Sequence, residues 1–138
     1  MRFEGHIWKD GKFWLVEIPV LDAMTQGRSK KEAFEMAADL VESLVDIEGF
    51  TVQVYPLPQD RFELASNNCR LMVALMLKRQ RQRHGLSLAQ VAHKLKASSR
   101  NSYARYEQGR AMPTVEKLAE LLSAVSDSDL VIRQSAAT

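Results

Sequence analysis

One cysteine, three histidines and no long apolar run mark what this sequence has little of. A lone cysteine, Cys69, cannot close an internal disulfide, which fits a reducing compartment. His6, His84 and His93 have no second cysteine or close histidine partner, so no metal site is expected. No apolar run approaches the ~20 residues of a membrane span. The opening MRFEGHIWKDG lacks the features of a signal peptide. These absences predict a cytoplasmic protein with no membrane partner. The glycines form no phosphate-binding loop, and no Ser/His/Asp or Cys/His arrangement stands out. The expectation is therefore a non-enzyme without a cofactor. There is no internal repeat and no low-complexity tract.

What the chain does have is a charge division. The 138 residues carry a net charge of only +2. Residues 1–64, however, hold seven basic and twelve acidic side chains, giving −5, whereas residues 65–138 hold twelve and five, giving +7. An acidic half joined to a basic half argues for two domains with different partners. The basic half suits a phosphate backbone; the acidic half would repel one and suits a basic protein.

Phe3, Gly5 and Ile7 alternate with Glu4, His6 and Trp8, a strand pattern. Asp10-Gly11 predicts a hairpin turn into a second strand, Phe13 to Ile18, which Pro19 ends by removing a donor. A short third strand fits Asp22 to Gly27. Ser29 and Glu32 form the S-x-x-E pattern of a capping box, and Ala33, Phe34, Ala37, Leu40, Val41, Leu44 and Val45 supply a helical apolar stripe. Gly49 is the expected helix stop. A further strand, Thr51 to Tyr55, completes a β-β-β-α-β order, an α+β layer with one helix packed on a small sheet. No cover for the sheet's other face is evident in the sequence. Pro56, Pro58 and Gln59-Asp60 mark a break, with Phe62 and Leu64 extending the sheet briefly.

The expected division is a domain at 1–64, a linker at 65–69, an all-α domain at 70–126 and a tail at 127–138. A helix starts at Arg70 and ends at His84-Gly85. Ser87 and Gln90 form a second capping box, and Leu88, Val91, Ala92 and Leu95 give the next helix an apolar face. After the turn Lys96–Ser99, a helix over Arg100 to Tyr106 presents Arg100, Asn101, Ser102 and Arg105 around Tyr103 and Tyr106. Arginine and asparagine can hydrogen-bond in pairs to guanine and adenine edges in a major groove. That pattern reads as a DNA-binding helix-turn-helix. Thr114 then caps a last helix carrying Val115, Leu118, Leu121 and Leu122.

Two family likenesses follow from these residues. From about Leu71 to Val125 the chain resembles the lambda-repressor/Cro type of helix-turn-helix domain, through RQRHGLSLAQVAHKL, SYARYEQGR and PTVEKLAELL. The turn KASS is one residue longer than in the commonest members and lacks their glycine. The resemblance implies a helical bundle whose third helix enters the major groove. The first 55 or so residues resemble the antitoxin half of HicA/HicB toxin–antitoxin pairs. Thr25, Gln26, Gly27, Ser29, Glu32 and Ala33 match that family's T-Q-G-x-S/T-x-x-E-A signature, although its preceding Pro-Gly is absent. The likeness implies a partial, inactive ribonuclease-H-like fold, neutralisation of a small basic ribonuclease toxin (HicA-like), and repression of the protein's own operon.

The candidate DNA contacts are Gln90, Ser99, Arg100, Asn101, Ser102 and Arg105, with operator DNA as partner and a homodimer or higher homo-oligomer as the binding form. Gln90 either reaches a phosphate or only closes its cap. Lys78, Arg79, Arg81 and Arg83 read as general electrostatic attraction. Tyr103 and Tyr106 read as packing residues, and Glu107 as the partner of a basic neighbour. Trp8 and Phe13 are the candidate toxin anchors, or else they pair across the hairpin. Of the carboxylates that a two-metal nuclease would need, namely Glu4, Asp10, Glu17 and Asp22, Asp10 belongs to a turn and Glu17 to the outward side of its strand. A free-standing regulator whose first domain senses a ligand or only oligomerises is the alternative.

Overall fold

A computed structural model describes residues 1–97 and 100–135. It is an α+β protein: an antiparallel five-stranded sheet followed by a helical region. The strands are β1 (Phe3–Asp10), β2 (Phe13–Ile18), β3 (Ala23–Gly27), β4 (Val52–Leu57) and β5 (Arg61–Ser66), in the order β3-β2-β1-β5-β4. Helix α1 (Lys30–Val45) lies between β3 and β4 in sequence; α2 (Cys69–Arg83), α3 (Leu88–Lys94), α4 (Arg100–Glu107) and α5 (Val115–Ser126) follow. Among the described residues, no helix is long and apolar enough to cross a membrane.

The alternation read from β1 has a direct consequence: Phe3, Gly5 and Ile7 are buried and face α1 together with Val16, Ile18, Phe62 and Leu64. Phe62 sits edge-on to Phe34 of α1, with ring centroids 5.6 Å apart. Gly27 is needed where it stands. A Cβ there would lie 2.5 Å from the Ala33 backbone nitrogen, so the first turn of α1 rests directly on the end of β3. Ser29 caps that turn by accepting from the Glu32 amide at 3.1 Å.

Three local expectations are corrected. The hairpin turn is Gly11-Lys12, with Asp10 still paired to Phe13 in the ladder. Helix α1 stops at Asp46, which takes the left-handed conformation (φ 52°), and not at Gly49. The Pro56 to Asp60 region is no break. β4 runs through Pro56 and turns at Pro58-Gln59-Asp60 into a full strand, β5, which pairs with both β4 and β1. Pro56 is tolerated because β4 is an edge strand and needs no donor on its free side.

Residues 65–69 close β5 and open α2, with Asn68 as its N-cap. Six consecutive residues of α2, Met72 to Leu77, are buried, so this helix packs all round and not along a single stripe. Its side chains join Ile18 of the sheet, Leu21 just after β2, and the helical region's Leu121 and Val125 in one continuous core. Arg79 donates to the Leu21 and Asp22 carbonyls at 2.8 and 2.7 Å, and Gln80 donates to the Val20 carbonyl at 2.8 Å. These bonds seat α2 on the 3-10 turn Pro19–Leu21. Arg79 thus also holds the fold together, beyond the general attraction for phosphate expected of it.

Candidate nucleic-acid interface

The interface is built from α3 and α4 against α2. Ser87 accepts from the Gln90 amide at 3.0 Å, and the Gln90 Oε1 accepts from the Ser87 amide at 2.7 Å. Both orphan donors of the first turn are satisfied reciprocally. The bond occupies the Gln90 carbonyl oxygen and leaves its exposed NH2 group able to donate outward.

Lys96 explains how α3 ends without a glycine. It adopts φ 55°, its amide bonds the His93 carbonyl, and the Ala97 amide bonds the Ala92 carbonyl. Those two bonds constitute a Schellman motif with lysine in the left-handed position that glycine usually fills. A Cβ in that conformation is strained. Lys96→Gly is therefore expected to raise unfolding free energy by about 0.5–1 kcal/mol in urea titration. A loss of stability would mean that the lysine side chain itself holds the turn. Ser99 lies outside the described residues, so its assignment as a DNA contact has no structural counterpart.

Among the described residues, helix α4 covers Arg100–Glu107, the stretch expected to be the third helix. Arg100, Asn101, Ser102 and Arg105 are all exposed, whereas Tyr103 and Ala104 are buried on the other side. Tyr106 is half-buried against the core. Gln108, just past the helix end, is also exposed and lies seven residues from Asn101. By helical period it extends the face of Asn101 and Arg105.

What holds this face outward is a pair that the sequence reading only half identified. Arg81 of α2 forms a two-pronged ion pair with Glu107, at 2.7 and 3.0 Å, and also donates to the Leu86 carbonyl at 2.9 Å. The two side chains are 14% and 7% exposed. The Glu107 hydrogen bond holds the Arg81 guanidinium above its ordinary pKa, against the pull of burial. Burial first, and the adjacent Glu107 carboxylate second, push the Tyr103 phenol well above its usual range. Its hydroxyl is buried without a well-formed hydrogen bond.

The aromatic-Glu-x-Gly stretch, Tyr106 to Gly109, thus has a physical reading. Glu107 clamps α4 to α2, and Gly109 turns the chain at φ 69°, where a Cβ would meet Leu71 at 2.7 Å. Arg81, read from the sequence as part of a diffuse basic group, is a bracket. Lys78 and Arg83 stay exposed. A cue for this distinction was available: arginine is the side chain suited to two-pronged carboxylate recognition, and Glu107 is the only acid in residues 65–115.

On the sheet, Trp8 and Phe13 are half-buried and share the outer face, away from α1. Glu4 and Glu17 share that face with them, Asp10 ends its strand, and Asp22 follows the 3-10 turn at φ 48°. Compared with known proteins, residues 77–125 match a helix-turn-helix family model, covering the end of α2 through α5. No curated protein matches the chain. The match makes this part a helix-turn-helix, a type of domain that sequence-specific DNA-binding regulators carry.

Proposed function

We propose that this regulator is an antitoxin and autorepressor: its sheet half binds and occludes a small basic ribonuclease toxin, and its helix-turn-helix half binds an operator in its own promoter. The observation that carries the DNA-binding part is α4, whose exposed Arg100, Asn101, Ser102 and Arg105 stand on a helix braced by the Arg81–Glu107 pair. Two recognition helices reaching successive major grooves ~34 Å apart require a two-fold dimer. The toxin-binding part is supported by the Thr25–Ala33 signature, whose Gly27 is sterically required beneath Ala33, and by the −5 charge of residues 1–64. Trp8 and Phe13 are the proposed anchors on its outer face. The sheet half acts by contact and not by catalysis.

The alternative, a free-standing regulator with a ligand-sensing sheet half, draws on a groove of about 800 Å³ between the sheet and α5. Co-expression separates the two. The full chain, and the full chain carrying Arg100→Ala with Asn101→Ala, are each expressed with a small basic ribonuclease toxin of the HicA type. Both should restore growth, and only the unsubstituted chain should repress the promoter. Failure of both to protect would remove the antitoxin reading and leave the regulator. The full chain is the right reagent, because a piece ending at residue 64 would cut β5 short and strip α2 from the shared core.

A further inference from the structure

The sheet's outer face, for which the sequence showed no cover, is met at Glu63 by the chain's own C-terminal segment. Glu63 stands on that face, directly opposite Glu4 in the β1–β5 ladder, yet its side chain is only 3% exposed. Arg133 donates to its Oε2 at 2.9 Å, Ser135 donates to Oε1, and Arg2 reaches Oε1 at 3.2 Å from beneath the Tyr55 ring. Two like charges set opposite each other across strands repel, and a cation placed over them is favoured.

Between Ser126 and this contact the segment roofs the groove of about 800 Å³, whose walls are Phe3 and Val20, Met76 of α2, and Leu118 and Leu122 of α5. The attachment is uneven. Leu130 packs on the core, but Val131 and Ile132 are 83% and 76% exposed. Among the described residues, the backbone from 129 to 135 makes no hydrogen bond to the sheet. A segment serving only to cover the core would turn its valine and isoleucine inward. Among the described residues, this segment's side-chain hydrogen bonds to the sheet converge on one carboxylate, Glu63.

We propose that residues 128–135 form a displaceable strap: closed, it seats Arg133 and Ser135 on Glu63 and roofs the groove, and a basic protein segment arriving on the outer face opens it by taking Arg133's place. The identity of the displacing partner rests on the antitoxin reading; the strap itself does not. Opening is inexpensive because Glu63 is rehydrated when the strap leaves, and no charge is stranded in the interior. Hydrogen bonds from Ser135, then Arg2 and Arg133, hold the Glu63 carboxyl below its ordinary pKa, despite the opposing effect of burial. Because the strap continues directly from α5, occupancy of the sheet is felt next to the DNA-binding half.

Trypsin reads the strap directly, since it must take Arg133 into its specificity pocket to cut the bond after it. Cutting there in Glu63→Gln, referred to cutting at the exposed Arg28, should be about ten- to hundredfold faster than in the unsubstituted protein. Equal rates would overturn the strap. Arg133→Ala, which leaves the sheet untouched, should brighten the neutral dye Nile red as the groove opens; no change would count equally against it. Adding a hexa-arginine peptide to the unsubstituted protein should brighten the dye saturably, with no further rise in Glu63→Gln. A bright Glu63→Gln beside an unresponsive unsubstituted protein would overturn displacement by a basic segment. The co-expression assay varies only α4, so that failure is distinguishable from failure of the antitoxin reading.

Discussion

Glu107→Ala should destabilise the protein by about 3–5 kcal/mol, the largest effect expected of any single polar substitution here. The carboxylate receives two hydrogen bonds from Arg81 in a nearly closed site. Its removal leaves a guanidinium with only the Leu86 carbonyl and the cost of a buried, unpaired charge. Arg81→Ala should cost a similar amount by stranding Glu107. The double substitution should cost clearly less than the sum, because each single change already removes the whole interaction. Replacing both with well-packed apolar residues should recover much of the loss. Urea unfolding followed by circular dichroism measures all four proteins. A change under ~1 kcal/mol for Glu107→Ala would place the pair among exposed ion pairs of little consequence. The consequence for DNA is indirect: the pair sets where α4 stands relative to α2, so surviving folded Glu107→Ala should also bind operator more weakly.

Arg100→Ala and Asn101→Ala should each weaken operator binding by about 1–3 kcal/mol, or roughly five- to 150-fold, with little change in stability. Both side chains are exposed. Their loss therefore falls on the complex and not on the fold. The two positions are adjacent, so the double variant need not show the sum of the single effects. Anisotropy titrations at one fixed salt concentration against operator and scrambled duplexes distinguish base reading from phosphate attraction. Weaker binding to operator alone marks base reading; equal weakening on both duplexes marks phosphate contact. Unchanged affinity in both variants would place the recognition surface elsewhere on the chain.

Much of this was legible in the sequence because it is local. A serine or threonine three residues before a matched amide caps a helix whatever surrounds it, and Ser29, Ser87 and Thr114 do so. Alternation in β1 and the apolar stripe of α1 determined which faces turn inward. The exposed residues of α4 followed from the same periodicity. Helix ends were harder to read, because a left-handed residue need not be glycine when the hydrogen bonds around it are good. Asp46 and Lys96 show this. β5 was underestimated because two prolines and a turn hid a strand whose partners, β1 and β4, include one more than fifty residues away.

By itself, then, the amino-acid order determined the caps, the strand and helix periods, the acidic and basic halves, and the polar face of α4. Each depends on neighbours within a few residues or on simple charge counts. The tertiary structure shows which basic residues of α2 bracket the fold and which stay exposed. Arg79 and Arg81 stand beside Lys78 and Arg83 in the chain, yet across the fold Arg79 donates to the main-chain carbonyls of Leu21 and Asp22 and Arg81 pairs with the Glu107 carboxylate. It also decided that α2 belongs to both halves at once, and that Glu63, one acid among twelve in its half, is the anchor of a distant tail. Long-range pairing of charges is set by where packing places them, and no local pattern along the chain encodes that position.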